Sequence, residues 1–128
     1  MATLTRVIAT EVGARFTGTT AGQDLTSQGV TPTTGTGDLV PINTGTGTLV
    51  IVTGTGTGAT VTVDSVVASS YGIDQDLTWT IPAVAGLYVV FLDNDGTNRF
   101  DQGGGSIGFA KFTFSVNTGF KLYSIVIP

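Results

Sequence analysis

The chain contains no cysteine and no histidine, and Glu11 is its only glutamate. Without thiols it has no disulfide staple and no thiolate metal site. The groups most often used as base and nucleophile near neutral pH are also missing. A Ser–His–Asp triad is impossible within one kind of chain. We therefore expect no enzyme, and assign no catalytic, cofactor-binding or metal-binding residue.

Charge is scarce. Charged residues make up 11% of the chain and the formal net charge is −4. The five cations, Arg6, Arg15, Arg99, Lys111 and Lys121, are scattered along the sequence. Nucleic-acid binding draws on clustered cations that displace phosphate counterions, so no nucleic-acid partner is expected. An anionic membrane surface is disfavoured for the same reason. No apolar run approaches the ~18 residues of a membrane-spanning helix. The longest, Ile81 to Leu92, is broken by Pro82 and Gly86. The first ten residues hold no uninterrupted apolar core of a signal peptide, so the product is expected to be made in a cytosol-like compartment.

What remains is threonine, glycine and β-branched side chains. The 128 residues and 13.0 kDa fit one domain with an appended arm. The 19 glycines raise the entropy of the unfolded chain and add nothing to a core. Association with other chains would offset that cost by mass action.

Apolar and threonine residues alternate with period two, and Gly-rich segments separate the runs. The spacing predicts strands near Leu4–Val12, Leu39–Ile42, Thr48–Thr53, Ala59–Ser65, Leu77–Ile81, Leu87–Leu92, Ile107–Val116 and Phe120–Ile127. The expected fold is all-β, an antiparallel β-sandwich of jelly-roll-like form. Thr48 to Val52 is apolar on both faces, which predicts a central strand or one lying under another layer. Gly54 to Gly58 is expected to join it to Ala59–Ser65 as a hairpin. In Ile107 to Val116 the bulky residues change parity, from Ile107 and Phe109 to Phe112, Phe114 and Val116. That predicts either a bulge near Ala110 and Lys111 or a strand covered on both faces. Phe120 to Ile127 is two-faced in the same way.

Thr17 to Gly47 is Gly/Thr/Ser-rich and nearly devoid of large apolar groups. It reads as a long surface loop, or as an arm that orders on a partner. The expected division is an N-terminal strand and arm over residues 1–37 and a sandwich over 38–128.

Three motifs suggest chemistry and fail on context. Gly54, Gly56 and Ala59 fit G-x-G-x-x-A, with Asp74 or Asp76 about twenty residues on. A strand follows, however, where a nucleotide site needs a helix N-terminus. Asp93-Asn94-Asp95-Gly96-Thr97-Asn98 resembles the start of a calcium loop but lacks the closing glutamate, and reads as a turn. Asp74 and Asp76 suggest a paired acid and base but sit in a strand-leading turn. Trp79 and the seven phenylalanines are core or interface aromatics by default.

Two stretches together carry a resemblance. One runs from Asp38-Leu-Val-Pro-Ile-Asn43 through Thr48-Leu-Val-Ile-Val52 and the glycine-rich link to Val61-Thr-Val63. The other comprises Leu77-Thr-Trp-Thr-Ile81-Pro82-Ala83-Val-Ala-Gly86, Arg99-Phe100, Gly108-Phe-Ala-Lys-Phe-Thr-Phe-Ser115 and Phe120-Lys-Leu-Tyr-Ser-Ile-Val-Ile127. The pattern is similar to small virion proteins of tailed bacteriophages, several of which are capsid decoration, or cement, proteins.

The resemblance implies a β-sandwich homotrimer bound to the major capsid protein at three-fold or quasi-three-fold positions on the capsid exterior. Such a protein needs no cofactor. Its functional site would be an interface, with one parity set of Ile107/Phe109 against Phe112/Phe114 as candidates. A second reading is a carbohydrate-binding or adhesion module of a tail fibre or baseplate, with Trp79, Tyr71 or Tyr88 as a stacking platform.

Overall fold

The computed structural model describes residues 1–9, 24–42, 46–66, 76–93 and 99–128. They form seven strands: β1 (Asp38–Pro41), β2 (Gly47–Gly54), β3 (Ala59–Val63), β4 (Leu77–Ile81), β5 (Gly86–Asp93), β6 (Phe109–Phe114) and β7 (Lys121–Ile127). A 3-10 turn spans Thr26–Gln28. The strands lie in two sheets, one ordered β1-β6-β3-β4 and the other β5-β2-β7. Every pair of named strands is antiparallel. The molecule is an all-β antiparallel sandwich.

Period-two alternation builds the layer between the sheets. Val61 and Val63 of β3, Ala110, Phe112 and Phe114 of β6, Val50 and Val52 of β2, and Leu122 and Val126 of β7 are buried. Phe120, just ahead of β7, packs its ring 5.8 Å from that of Phe114, tilted by 54°. Each such side chain stabilises the fold by about 1.5–3 kcal/mol on leaving water. Thr48 is the polar exception on the inner face of β2. Its hydroxyl donates to the Pro41 carbonyl at 2.9 Å, which satisfies it without water.

The two-faced Thr48–Val52 segment is the centre of its sheet, flanked by β5 and β7. The Gly54–Gly58 link is not the expected hairpin. It is an arch between layers, since β2 and β3 belong to different sheets. Of its glycines, Gly56 adopts a positive φ of 124°. Gly54 faces the Phe120 ring, where an added Cβ would come within 3.2 Å. Of the six strand-to-strand connections, the one from β3 to β4 alone stays within a sheet.

No bulge falls at Ala110 or Lys111, because β6 keeps unbroken register with β1 from Phe109 to Phe112. The parity change has a simpler cause. Gly108 turns at φ 84°, which leaves Ile107 outside the strand and exposed. Phe109 then opposes Pro41 on the outer face, while Phe112 and Phe114 point inward.

The expected strand at Leu4–Val12 is replaced over residues 1–9 by a segment that bridges both sheets. Thr3 pairs in parallel with Leu39 at the edge of β1, and Ile8 with Val126 at the edge of β7. Residues 10–12 lie outside the described residues. Within the expected loop of Thr17–Gly47, Val30 pairs with Leu122 and Asp38–Pro41 forms β1.

These contacts close one flank of the sandwich. On β1, the Leu39 N–H donates to Ala2 and the Leu39 carbonyl accepts from Leu4. On β7, the N–H groups of Leu122, Ser124 and Val126 donate in turn to the Val30 carbonyl, the Gln28 side chain and the Val7 carbonyl. The buried Asp38 carboxylate fastens the segment at its start. It accepts from the Ala2 N–H at 2.9 Å, the Thr33 N–H at 2.7 Å and the Thr33 hydroxyl at 3.0 Å.

Candidate docking face

The two sheets present opposite chemistry to solvent. On the four-stranded sheet, Thr60 stands beside Thr80, and Thr62 lies between Thr78 and Thr113. Lys111, on the same face, pairs with Asp64 at 2.9 Å. This is the polar exterior expected of an antiparallel sheet with one wet side.

The three-stranded sheet breaks that rule. The outward residues of its central strand are Leu49, Ile51 and Thr53. Leu49 lies between Phe91 of β5 and Ile125 of β7. Ile51 lies between Val89 and Tyr123, and Thr53 between Leu87 and Lys121. Leu87, Val89 and Phe91 are 65%, 48% and 44% exposed, high values for apolar residues set side by side. At strand spacings of about 4.8 Å and two-residue repeats of about 6.8 Å, this array covers on the order of 300 Å². That matches the largest patch on a typical monomer, a size often tied to interaction.

Glycine shapes both ends of the patch. Gly47 continues the outward row of β2, and its missing side chain makes room for the Phe91 ring, which would lie 2.7 Å from an added Cβ. Gly29 does the same for Tyr123, whose ring would come within 2.6 Å. The 3-10 turn therefore sits against the β7 side of the face. Asp24 holds this turn by accepting hydrogen bonds from the N–H and the hydroxyl of Thr26. Both bonds favour the charged carboxylate and lower its pKa from the ordinary 3.8. Leu25 and Thr26 rise above Ile51, Thr53, Leu87 and Tyr123 to form a shallow groove of about 230 Å³.

The interface candidates drawn from the sequence divide. Phe112 and Phe114 are core residues, Phe109 is half-buried on the outer face of the four-stranded sheet, and Ile107 is exposed beside a turn. The face on β5, β2 and β7 went unnamed. Its signal was the Leu87–Leu92 run itself, which is apolar at both parities and so cannot be buried on one face alone.

Two of the three aromatics expected as a stacking platform fall within the described residues. Trp79 and Tyr88 are partly buried and pack against the core. Tyr88 spends its hydroxyl on the Val84 carbonyl, and Tyr71 lies outside the described residues. Asp76 accepts from the Ser65 N–H at 2.9 Å, a turn contact, and Asp74 lies outside the described residues. Of the calcium-like segment, residues 94–98 lie outside them too. Among the described residues, no three acidic side chains gather as metal ligands. No helix there is long and apolar enough to cross a membrane.

Compared with known proteins, the chain matches no family model, no curated protein and no solved structure.

Proposed function

We propose that this chain is a structural protein of a tailed-phage virion, bound as a homo-oligomer to the outer surface of the capsid and stabilising it. The supporting observation is the apolar outer face of the β5-β2-β7 sheet, set against an opposite face that carries threonines along β3 and β4. A protein that docks one side on a shell and turns the other to water needs this asymmetry. The sequence resemblance points to the same class.

One patch of about 300 Å² falls well below the roughly 800 Å² that each partner contributes to a standard interface. A single copy would therefore hold weakly, and several linked copies would hold by avidity. Binding to the assembled lattice, and not to free subunits, would stabilise the shell by mass action.

Cosedimentation with expanded tailed-phage heads tests the proposal. The wild-type chain is expected to pellet with heads and to raise their disruption temperature. Val89→Lys, which puts a charge in the middle of the face, is expected to stay in the supernatant. Wild-type protein that ignores the heads, or that binds glycans selectively on an array, refutes it.

A further inference from the structure

The flanks of the sandwich are treated unequally. Edges β1 and β7 are covered by the N-terminal segment and by residues 28–30, as described above. On the other flank, among the described residues, β4 pairs with β3 alone and β5 with β2 alone. β4 is short, flanked by Asp76 and Pro82, and its outward residues are threonines.

Among the described residues, β5 from Gly86 to Leu92 carries few of the devices that blunt an edge. It runs eight residues, with no proline and no charge from Gly86 to Leu92. Its eight-pair register with β2 is unbroken, so no bulge bends it away. A long, apolar edge of this kind is a template for another strand.

We infer that the occupant is β5 of a second copy, paired antiparallel about Val89. In that register Val89 faces Val89, Leu87 faces Phe91, and Tyr88 faces Val90 across the two-fold axis. Opposed residues share a face, so the exposed row meets its own kind. A shift of one residue would set outward side chains against inward ones. A parallel pairing would place the two Asp93 carboxylates side by side, which like-charge repulsion disfavours. The antiparallel pairing sends them to opposite ends, beyond the last apolar pair.

The product is a continuous six-stranded sheet, β7-β2-β5-β5-β2-β7, with all outward residues on one side. Two patches merge into about 600 Å² of mainly apolar surface, with Thr53 and Lys121 at one end of each. That consequence for docking rests on the function proposed above, whereas the pairing itself does not. It is a two-fold contact, where the sequence resemblance implies a three-fold arrangement.

The chain has no cysteine, so a single introduced thiol reports on one position. Val89→Cys would place two thiols directly opposite each other, with Cβ atoms about 4.5–5.5 Å apart, near the upper limit of the separation that a disulfide spans. Mild oxidation is expected to give a covalent dimer many-fold faster than for Thr80→Cys on the polar sheet. Light scattering of the wild-type chain is expected to give twice 13.0 kDa, or a larger even multiple. A single or odd multiple, or cross-linking no faster than the control, overturns the pairing. Head binding by such a chain would leave the docking proposal standing.

Discussion

Gln28 serves Ser124 as a neighbouring strand would. Its Oε1 accepts the Ser124 N–H at 2.8 Å, while its Nε2 donates to the Thr5 carbonyl at 2.6 Å. One buried amide thus joins three parts of the chain that lie far apart in sequence: residue 5, residue 28 and the middle of β7. Gln28→Ala leaves the Ser124 N–H without that acceptor, at a cost of about 1–3 kcal/mol. A lower midpoint in urea with an unchanged slope is the expected outcome.

Asp38 holds the same segment through charge. Asp38→Ala removes the acceptor for the Ala2 and Thr33 N–H groups, each a charge-assisted bond of about 1.5–3 kcal/mol. Global stability is expected to fall by less than their sum, because the freed N-terminus can take up water. Hydrogen exchange should show protection lost first at Leu4 and Leu39, while Val61 in the centre of β3 keeps its own.

Leu87 is apolar and mostly exposed, so a polar replacement there should leave the fold intact. Leu87→Lys is expected to change stability by no more than about 0.5 kcal/mol, the usual range for a surface position. It should also reduce binding of a hydrophobic dye and raise the concentration at which the protein aggregates. A loss of several kcal/mol would mean that Leu87 belongs to the core.

Acid should loosen the 3-10 turn before the sandwich. The pKa of Asp24 is lower folded than unfolded, so its contribution is fully present above the ordinary 3.8. It is lost as pH falls through the lowered folded value. A pH titration followed by NMR should show the Thr26 amide shifting together with Asp24. Asp24→Asn should remove that step.

Much of the architecture was legible because period-two alternation needs only neighbours in sequence. Leu77-Thr-Trp-Thr-Ile81 became β4 with unchanged ends, and seven of the eight expected strands formed. Pairing was less legible, since alternation gives a strand's inner face but not its partner. Gly54–Gly58 has the composition of a hairpin loop and also of an arch, and only tertiary packing of Phe120 and Ile81 separates the two. The edge covers at Gln28 and Val30 left almost no trace, because a single side chain or a single bridge has no period. The apolar outer face was half visible. Two-faced runs were evident at Thr48–Val52 and Phe120–Ile127, but which sheet face stays uncovered depends on how the two layers assemble.

The strap formed by residues 1–9 also places Met1 within the fold. Met1 is exposed beside β1, on the flank of the sandwich opposite β5. A fluorescent domain or peptide epitope fused there would project from the sewn side of the sandwich, clear of the open edge.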